Sequence, residues 1–267
     1  MLHFTKMQGL GNDYVYLDCT KSAPDNLSAL AVRLSNRNFG VGSDGLICIF
    51  PSEKADFRMR MFNADGSEGE MCGNGIRCVG KFVYDKGLTT KNQITIETLA
   101  GIKELKLFIR DNTVYEVTVD MGVPVVDTCV GIDVKGERYT GIPVSMGNPH
   151  WVIFCDEIDD LSLEEIGPIF EMHDYFPNRV NTEFVRREGS NLLRMRVWER
   201  GSGETMACGT GACAVAVAAY SSGLAGNEVT VRLTGGDLKI RIDELTKRVF
   251  MTGPAVTVFE GELSHEM

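Results

Sequence analysis

Hydrophobic and charged positions alternate along "FRMRMFN" (57–63) and "LRMRVWE" (193–199) with the period of two expected of a half-buried strand. Shorter β-rich runs precede them, "YVYLD" (14–18) and "WVIFC" (151–155). The period then lengthens. "NGIRCVGKFVYDKG" (74–87) and "TGACAVAVAAYSSG" (210–223) read as helices, each stopped by a glycine suited to a helix C-terminus. Strand signals return in "QITIET", "KELKLFI" and "VYEVTVDMG" after the first helix, and in "EVTVRLT", "DLKIRI" and "RVFMTG" after the second. The pattern predicts many strands and one apolar helix per half. A segment as apolar as "ACAVAVAAY" needs cover on all sides, which a sheet wrapped around it provides.

The two halves are copies of one another. A shift of 136 positions sets Cys72 on Cys208, Glu68 on Glu204, Gly73 on Gly209, Gly75 on Gly211 and Gly87-Leu88 on Gly223-Leu224. The same shift sets Arg58-Met59-Arg60 on Arg194-Met195-Arg196 and Gly11-Asn12 on Gly147-Asn148. A constant offset over most of a half-chain implies two similar supersecondary units, with a period far longer than that of a solenoid. The expected fold class is α/β, of the α+β type. It has two pseudo-symmetric lobes, each a mostly antiparallel sheet or barrel around a central helix, with the active site in the cleft between them. Turn residues crowd Gly122 to Gly141, which puts the lobes at 1–121 and 122–256. The tail 257–267 has no partner in the repeat and is a candidate to cross back to the first lobe.

Composition narrows the function. The chain has 267 residues, 43% hydrophobic and 24% charged, enough for a sizeable core. Its net charge of −10 and lack of any basic cluster argue against nucleic acid or an anionic membrane as partner. The N-terminus shows no secretory signal and no apolar run is long enough to span a bilayer, so a cytoplasmic location is expected. In a reducing cytosol the eight cysteines are not a disulfide framework. No Cys-x-x-Cys pair suggests zinc, and no P-loop, HExxH or strand-linked GxGxxG suggests a metal or cofactor.

Cys72 and Cys208 stand apart because each immediately precedes a helix, followed by Gly-x-Gly. A helix start offers unpaired N–H groups and partial positive charge, which favour a thiolate. The glycines let backbone N–H groups close on a carboxylate. With the halves face to face, one thiolate could take an α-proton while the opposite thiol returns one to the other face. That is the two-base chemistry of a racemase. A cysteine in such a place is more often a small buried residue, and that reading is kept for Cys78 and Cys213; the repetition lifts Cys72 and Cys208 above it.

The stretches "NADGSEGEMCGNGIRC", "WERGSGETMACGTGACA", "KMQGLGNDYVYLD" and "SMGNPHWV" closely resemble the diaminopimelate epimerases over nearly the whole chain. The resemblance implies cofactor-independent interconversion of LL- and meso-2,6-diaminopimelate for lysine and peptidoglycan precursor synthesis, and a homodimer. It makes Cys72 and Cys208 the catalytic pair, Cys72 the base in the LL-to-meso direction and Cys208 the acid. It assigns the reacting carboxylate to Gly73, Asn74, Gly209 and Thr210. Remaining substrate contacts fall to Asn12, Asn63, Asn148, Asn181, Glu199 and Arg200, and tuning of the thiols to His150 and Glu199. Chemistry suits these types: a guanidinium fork for a second carboxylate, amide oxygens for a second ammonium.

Two positions depart from the family pattern. "GVGSDGLI" has Gly45 where some members carry a glutamine that touches substrate, and "VFEGEL" has Phe259 where some carry a tyrosine linked to dimer formation. Two rival readings remain open: a proline- or hydroxyproline-type racemase with the same two-cysteine chemistry, and a non-catalytic thiol redox protein.

Overall fold

The computed structural model describes residues 2–263. The chain divides into two compact units, one of residues 2–119 and 253–263, the other of residues 120–252. In chain order the first half carries β1 (Leu2–Gly9), β2 (Asn12–Asp18), α1 (Leu27–Ser35), β3 (Gly45–Phe50), β4 (Phe57–Asn63), β5 (Glu68–Gly69), α2 (Gly73–Asp85), β6 (Gln93–Thr98), β7 (Gly101–Arg110) and β8 (Thr113–Gly122). The second carries β9 (Val125–Val126), β10 (Val130–Val134), β11 (Glu137–Ser145), β12 (Pro149–Phe154), α3 (Leu163–Glu171), β13 (Asn181–Arg187), β14 (Leu192–Glu199), β15 (Gly203–Glu204), α4 (Gly209–Ser221), β16 (Glu228–Leu233), β17 (Gly236–Ile242) and β18 (Val249–Pro254). β19 (Val256–Leu263) returns to the first unit and pairs antiparallel with β1, from Leu2↔Leu263 to Gln8↔Val256. The expectation for the tail also covers 264–267, which lie outside the described residues.

The sheet of the first unit runs β19-β1-β2-β3-β4-β6-β7-β8, antiparallel except at β2–β3 and β4–β6. The second repeats it as β11-β12-β13-β14-β16-β17-β18, antiparallel except at β12–β13 and β14–β16. The duplication holds at the level of register. Tyr14 pairs with Gly45 in β2–β3 as His150 pairs with Asn181 in β12–β13. These sheets are open arrays rather than closed barrels, and each lies against the long helix of its own unit: α2 against β1, β2, β7 and β19, and α4 against β11, β12, β13, β16 and β17. Cover on every side is why α4 is buried from Gly211 through Ala219, and its alanines let the strands approach. Both long helices end in a Schellman turn. Gly87 and Gly223 sit at φ 71° and 68°, and the N–H groups of Leu88 and Leu224 reach back to Val83 O (2.9 Å) and Ala219 O (2.9 Å).

One helix per half was expected; the described residues hold two in each. α1 and α3 occupy corresponding places in the repeat and cover the other sheet face. Leu27, Leu30, Ala31 and Leu34 of α1 pack on Val15, Leu17, Leu46, Cys48 and Phe62. Tyr14 and Tyr16, alternating with Val15 and Leu17 on β2, point to the opposite face, and Tyr16 OH donates to Gly75 O at 3.1 Å. In α3, Phe170 sits among Trp151, Phe184 and Trp198. A Cβ on Gly167 would lie 2.2 Å from the Trp198 ring, so only glycine lets this helix close on the sheet.

Burial raises the pKa of several thiols and phenols: Cys78 is pushed up to about 11, and Tyr14 and Tyr16 lie well above the usual phenol value. Unfolded thiols ionise near pH 8.5. Above that the unfolded chain sheds protons that the fold retains, so stability is full below about pH 8.5 and falls as pH rises toward the folded values. A loss on the order of 2–3 kcal/mol is expected from Cys78 alone by about pH 11. Urea midpoints compared at about pH 8 and pH 10.5 check this; an unchanged midpoint would contradict it.

Candidate active site

In the first unit Cys72 is the N-cap of α2, with extended φ −120° and ψ 119°. Its sulfur accepts the N–H of Gly75 at 3.3 Å, and the thiol donates to Asn12 Oδ1 at 3.1 Å. Asn12 is held in turn by donating Nδ2 to Asp44 Oδ2 at 2.8 Å. The helix ladder starts with Ile76 N to Cys72 O, so the N–H groups of Gly73 and Asn74 precede any intrahelical carbonyl. Asn74 is buried and accepts from Arg77 Nη1 at 3.0 Å; the same nitrogen donates to Gly73 O at 3.0 Å, which stiffens the first turn. The buried Tyr14 phenol is kept protonated above all by burial, with the Asp44 carboxylate acting in the same direction.

In the second unit Cys208 caps α4 in the same way, with φ −115° and ψ 111°, and accepts from Gly211 N at 3.4 Å. Thr210 Oγ1 lies 3.6 Å from the sulfur. Asn148 Nδ2 donates to that hydroxyl at 3.2 Å, and Asn148 Oδ1 lies 3.1 Å from His150 Nε2. His150 Nδ1 is 2.6 Å from Glu183 Oε1, both side chains being fully buried. Burial above all, then the Glu199 carboxylate, holds the Cys208 thiol well above its ordinary pKa; the Thr210 hydroxyl and Gly211 N–H pull the other way. Cys208 therefore carries its proton at neutral pH.

The remaining expected residues line the same strand ends. Asn63 ends β4, opposite Gly45, and its amide donates to Ser67 Oγ at 3.0 Å. Asn181 donates to Pro149 O at 3.0 Å and accepts the Arg200 N–H at 2.9 Å, bridging the start of β12 to the end of β14. Arg200 is exposed and donates to Asn178 O at 2.8 Å, and Glu199 takes the Thr205 hydroxyl. Gly45 has a steric reason: a Cβ there would meet Phe62 O at 2.1 Å and Tyr14 Cε1 at 2.7 Å, so no side chain fits on this backbone.

Glu183 was not foreseen. A signal existed, a lone carboxylate in "VNTEFV" at the repeat position where the first half has Ile47. The two side chains lie beneath equivalent glycines: Ile47 Cδ1 is 2.6 Å from where a Gly75 Cβ would sit, and Glu183 Oε1 is 2.7 Å from that of Gly211. Among the described residues no group of three or more His, Cys, Asp or Glu side chains gathers as a metal site would need. Nor is any described helix long and apolar enough to cross a membrane.

Comparison with known proteins bears on this arrangement. The diaminopimelate epimerase family pattern matches residues 4–126 and 142–258. A diaminopimelate epimerase of Methanococcus maripaludis is 52% identical, covering 98% of this chain and 99% of its own length. One from Desulfovibrio desulfuricans is 54% identical, covering 98% of each. Among solved structures, a Bacillus anthracis phenazine biosynthesis protein of the PhzF family superimposes with a TM-score of 0.77 at 18% identity, covering 98% of this chain and 99% of that one. A hydroxyproline epimerase from Agrobacterium vitis gives 0.74 at 15% identity, covering 100% and 93%. At these identities the structural likeness speaks for the two-lobed fold alone. Sequence identity of one half over almost the full length goes further: this chain is a member of the diaminopimelate epimerase family.

Proposed function

We propose that the protein is an isomerase that interconverts LL- and meso-2,6-diaminopimelate, using Cys72 and Cys208 as its two proton-transfer groups. The observation that carries this is the paired N-cap geometry, in a chain of this family: each sulfur accepts the third N–H of its own helix, at Gly75 and at Gly211. In the LL-to-meso direction the Cys72 thiolate removes the α-proton. The electron pair left on carbon spreads into the carboxylate, and N–H groups of Gly73, Asn74, Gly209 and Thr210 receive the added charge. The Cys208 thiol, held protonated by its burial and the Glu199 carboxylate, delivers its proton to the opposite face. Turnover ends with Cys72 as thiol and Cys208 as thiolate, so the reverse reaction exchanges their roles. Asn12, Asn63, Asn148, Asn181, Glu199 and Arg200 hold the substrate, Arg200 offering a fork to the distal carboxylate. His150 and Glu199 adjust the acidity of the thiols.

The same reading includes a cytoplasmic location and a homodimer. β19 pairs only with β1 among the described residues and leaves Val256, Val258 and Phe259 41%, 54% and 47% exposed, apolar area suited to a second copy. Phe259 retains an edge contact with Phe4 at 5.9 Å.

Proton exchange tests the function. Reduced protein and LL-diaminopimelate in deuterated water, with no cofactor added, should give meso product deuterated at one α-carbon. Absence of exchange, or deuteration of proline in its place, would overturn the reading.

A further inference from the structure

Glu183 is a fully buried carboxylate on β13 that the proposed proton transfer does not use. Oε1 meets His150 Nδ1 at 2.6 Å, while Oε2 is buried with no hydrogen-bond partner among the described residues. A bare carboxylate so placed would be costly. It would also oppose a thiolate at Cys208. Both difficulties fall away if Glu183 and His150 share one proton, because the pair is then neutral whichever partner holds it.

The rest of the chain then has a fixed direction. Asn148 Nδ2 donates to Thr210 Oγ1, so Oδ1 is the atom that faces His150 Nε2 at 3.1 Å, and that nitrogen must carry hydrogen. Glu183 secures this by occupying Nδ1. Thr210, already accepting from Asn148, is left to donate its hydroxyl hydrogen to Cys208 Sγ at 3.6 Å. The first half has none of this: Ile47 stands at the position of Glu183 and Tyr14 at that of His150. The remaining charged group that acts on Cys208 is Glu199 on β14, occupied by Thr205.

We propose that Glu183 is a positioning residue for Cys208: paired with His150, it orients Asn148 and Thr210 so that the Thr210 hydroxyl donates to the sulfur. This rests on Cys208 being one of the two reacting thiols, and the test reads thiol chemistry rather than turnover, so the two ideas fail separately. The probe is iodoacetamide at about pH 8, with alkylation of Cys208 and Cys72 followed by peptide mass spectrometry on full-length reduced protein. Glu183→Met should slow Cys208 alkylation roughly tenfold by removing a hydrogen bond to the thiolate. Glu183→Gln can still donate to Nδ1 and should restore the rate to within about twofold. Cys72, in the other unit, serves as internal control. The sign decides between roles. If Glu183 acted only as a negative charge near the sulfur, both variants would alkylate faster than wild type, and that result overturns the proposal, as does an unchanged rate in folded Glu183→Met. Should Glu183→Met fail to fold, long-range ¹H–¹⁵N spectra of wild type and Glu183→Gln remain decisive. A proton on His150 Nε2 in both is expected; a ring protonated only at Nδ1 overturns the idea.

Discussion

Replacing Cys72 or Cys208 with alanine is expected to lower epimerase turnover by about 10²–10⁴-fold, the range of a lost general acid or base. The double variant should be little worse than either single one, because the two groups act as a unit. The variants should differ in what survives. Cys208→Ala keeps the proposed base for the LL substrate, so slow α-deuteration of LL-diaminopimelate without inversion should remain. Cys72→Ala should show none with that substrate. Residual LL exchange in Cys72→Ala, and none in Cys208→Ala, would reverse the assigned roles. Both thiols cap helices, so each variant should be checked by urea denaturation; loss of a weak sulfur cap should cost at most about 1 kcal/mol, too little to explain the kinetic loss.

Gly211→Ala is expected to damage the site more than Gly75→Ala, although the two glycines are repeat equivalents at the third position of α4 and α2. Alanine gains about 1 kcal/mol of helix propensity at either place. At Gly75 the new methyl meets Ile47 Cδ1 at 2.6 Å, a terminal methyl able to swing aside, and Cys72 Sγ at an ordinary 3.6 Å. At Gly211 it meets Glu183 Oε1 at 2.7 Å and Cys208 Sγ at 3.2 Å. That carboxylate is pinned 2.6 Å from a buried ring and has nowhere to go. Overpacking costs about 1–3 kcal/mol. Gly75→Ala should therefore be near neutral in stability, whereas Gly211→Ala should lose about 1–2 kcal/mol and roughly 100-fold in kcat/KM by displacing the sulfur. Urea melts and steady-state kinetics on both variants check this. Equal losses would show that the difference between Ile47 and Glu183 carries no weight.

The long helices and the paired strands were legible because their signals are local. α2 and α4 announce themselves by a cap, an apolar run and a terminal glycine; the strands by alternation. α1 and α3 were not read, although Asn26 caps α1 and Leu27, Leu30, Ala31 and Leu34 recur at helical spacing. At nine residues each they are barely two and a half turns, and α3 contains Pro168, which normally argues against a helix interior. What holds them is the second face of each sheet. The need for that cover was written in β2, where both alternating sets, Tyr14 and Tyr16 against Val15 and Leu17, are apolar.

The amino-acid order by itself determined the duplication, which a constant offset reveals without any fold, and the two capping cysteines with the glycines behind them, which depend on neighbours within a turn of chain. It also carried enough of the family's long motifs to name the substrate to be tested. Only the tertiary structure decided that the two sulfurs are unlike. Strands β12, β13 and β14 bring His150, Glu183 and Glu199 around Cys208 from as far as 58 positions away, and there burial and charge set the proton affinity. The equivalent strands bring Tyr14 and Ile47 to the other half. Desolvation and Coulomb interaction act through space and not along the chain, so identical local motifs acquire different chemistry from what the fold packs against them.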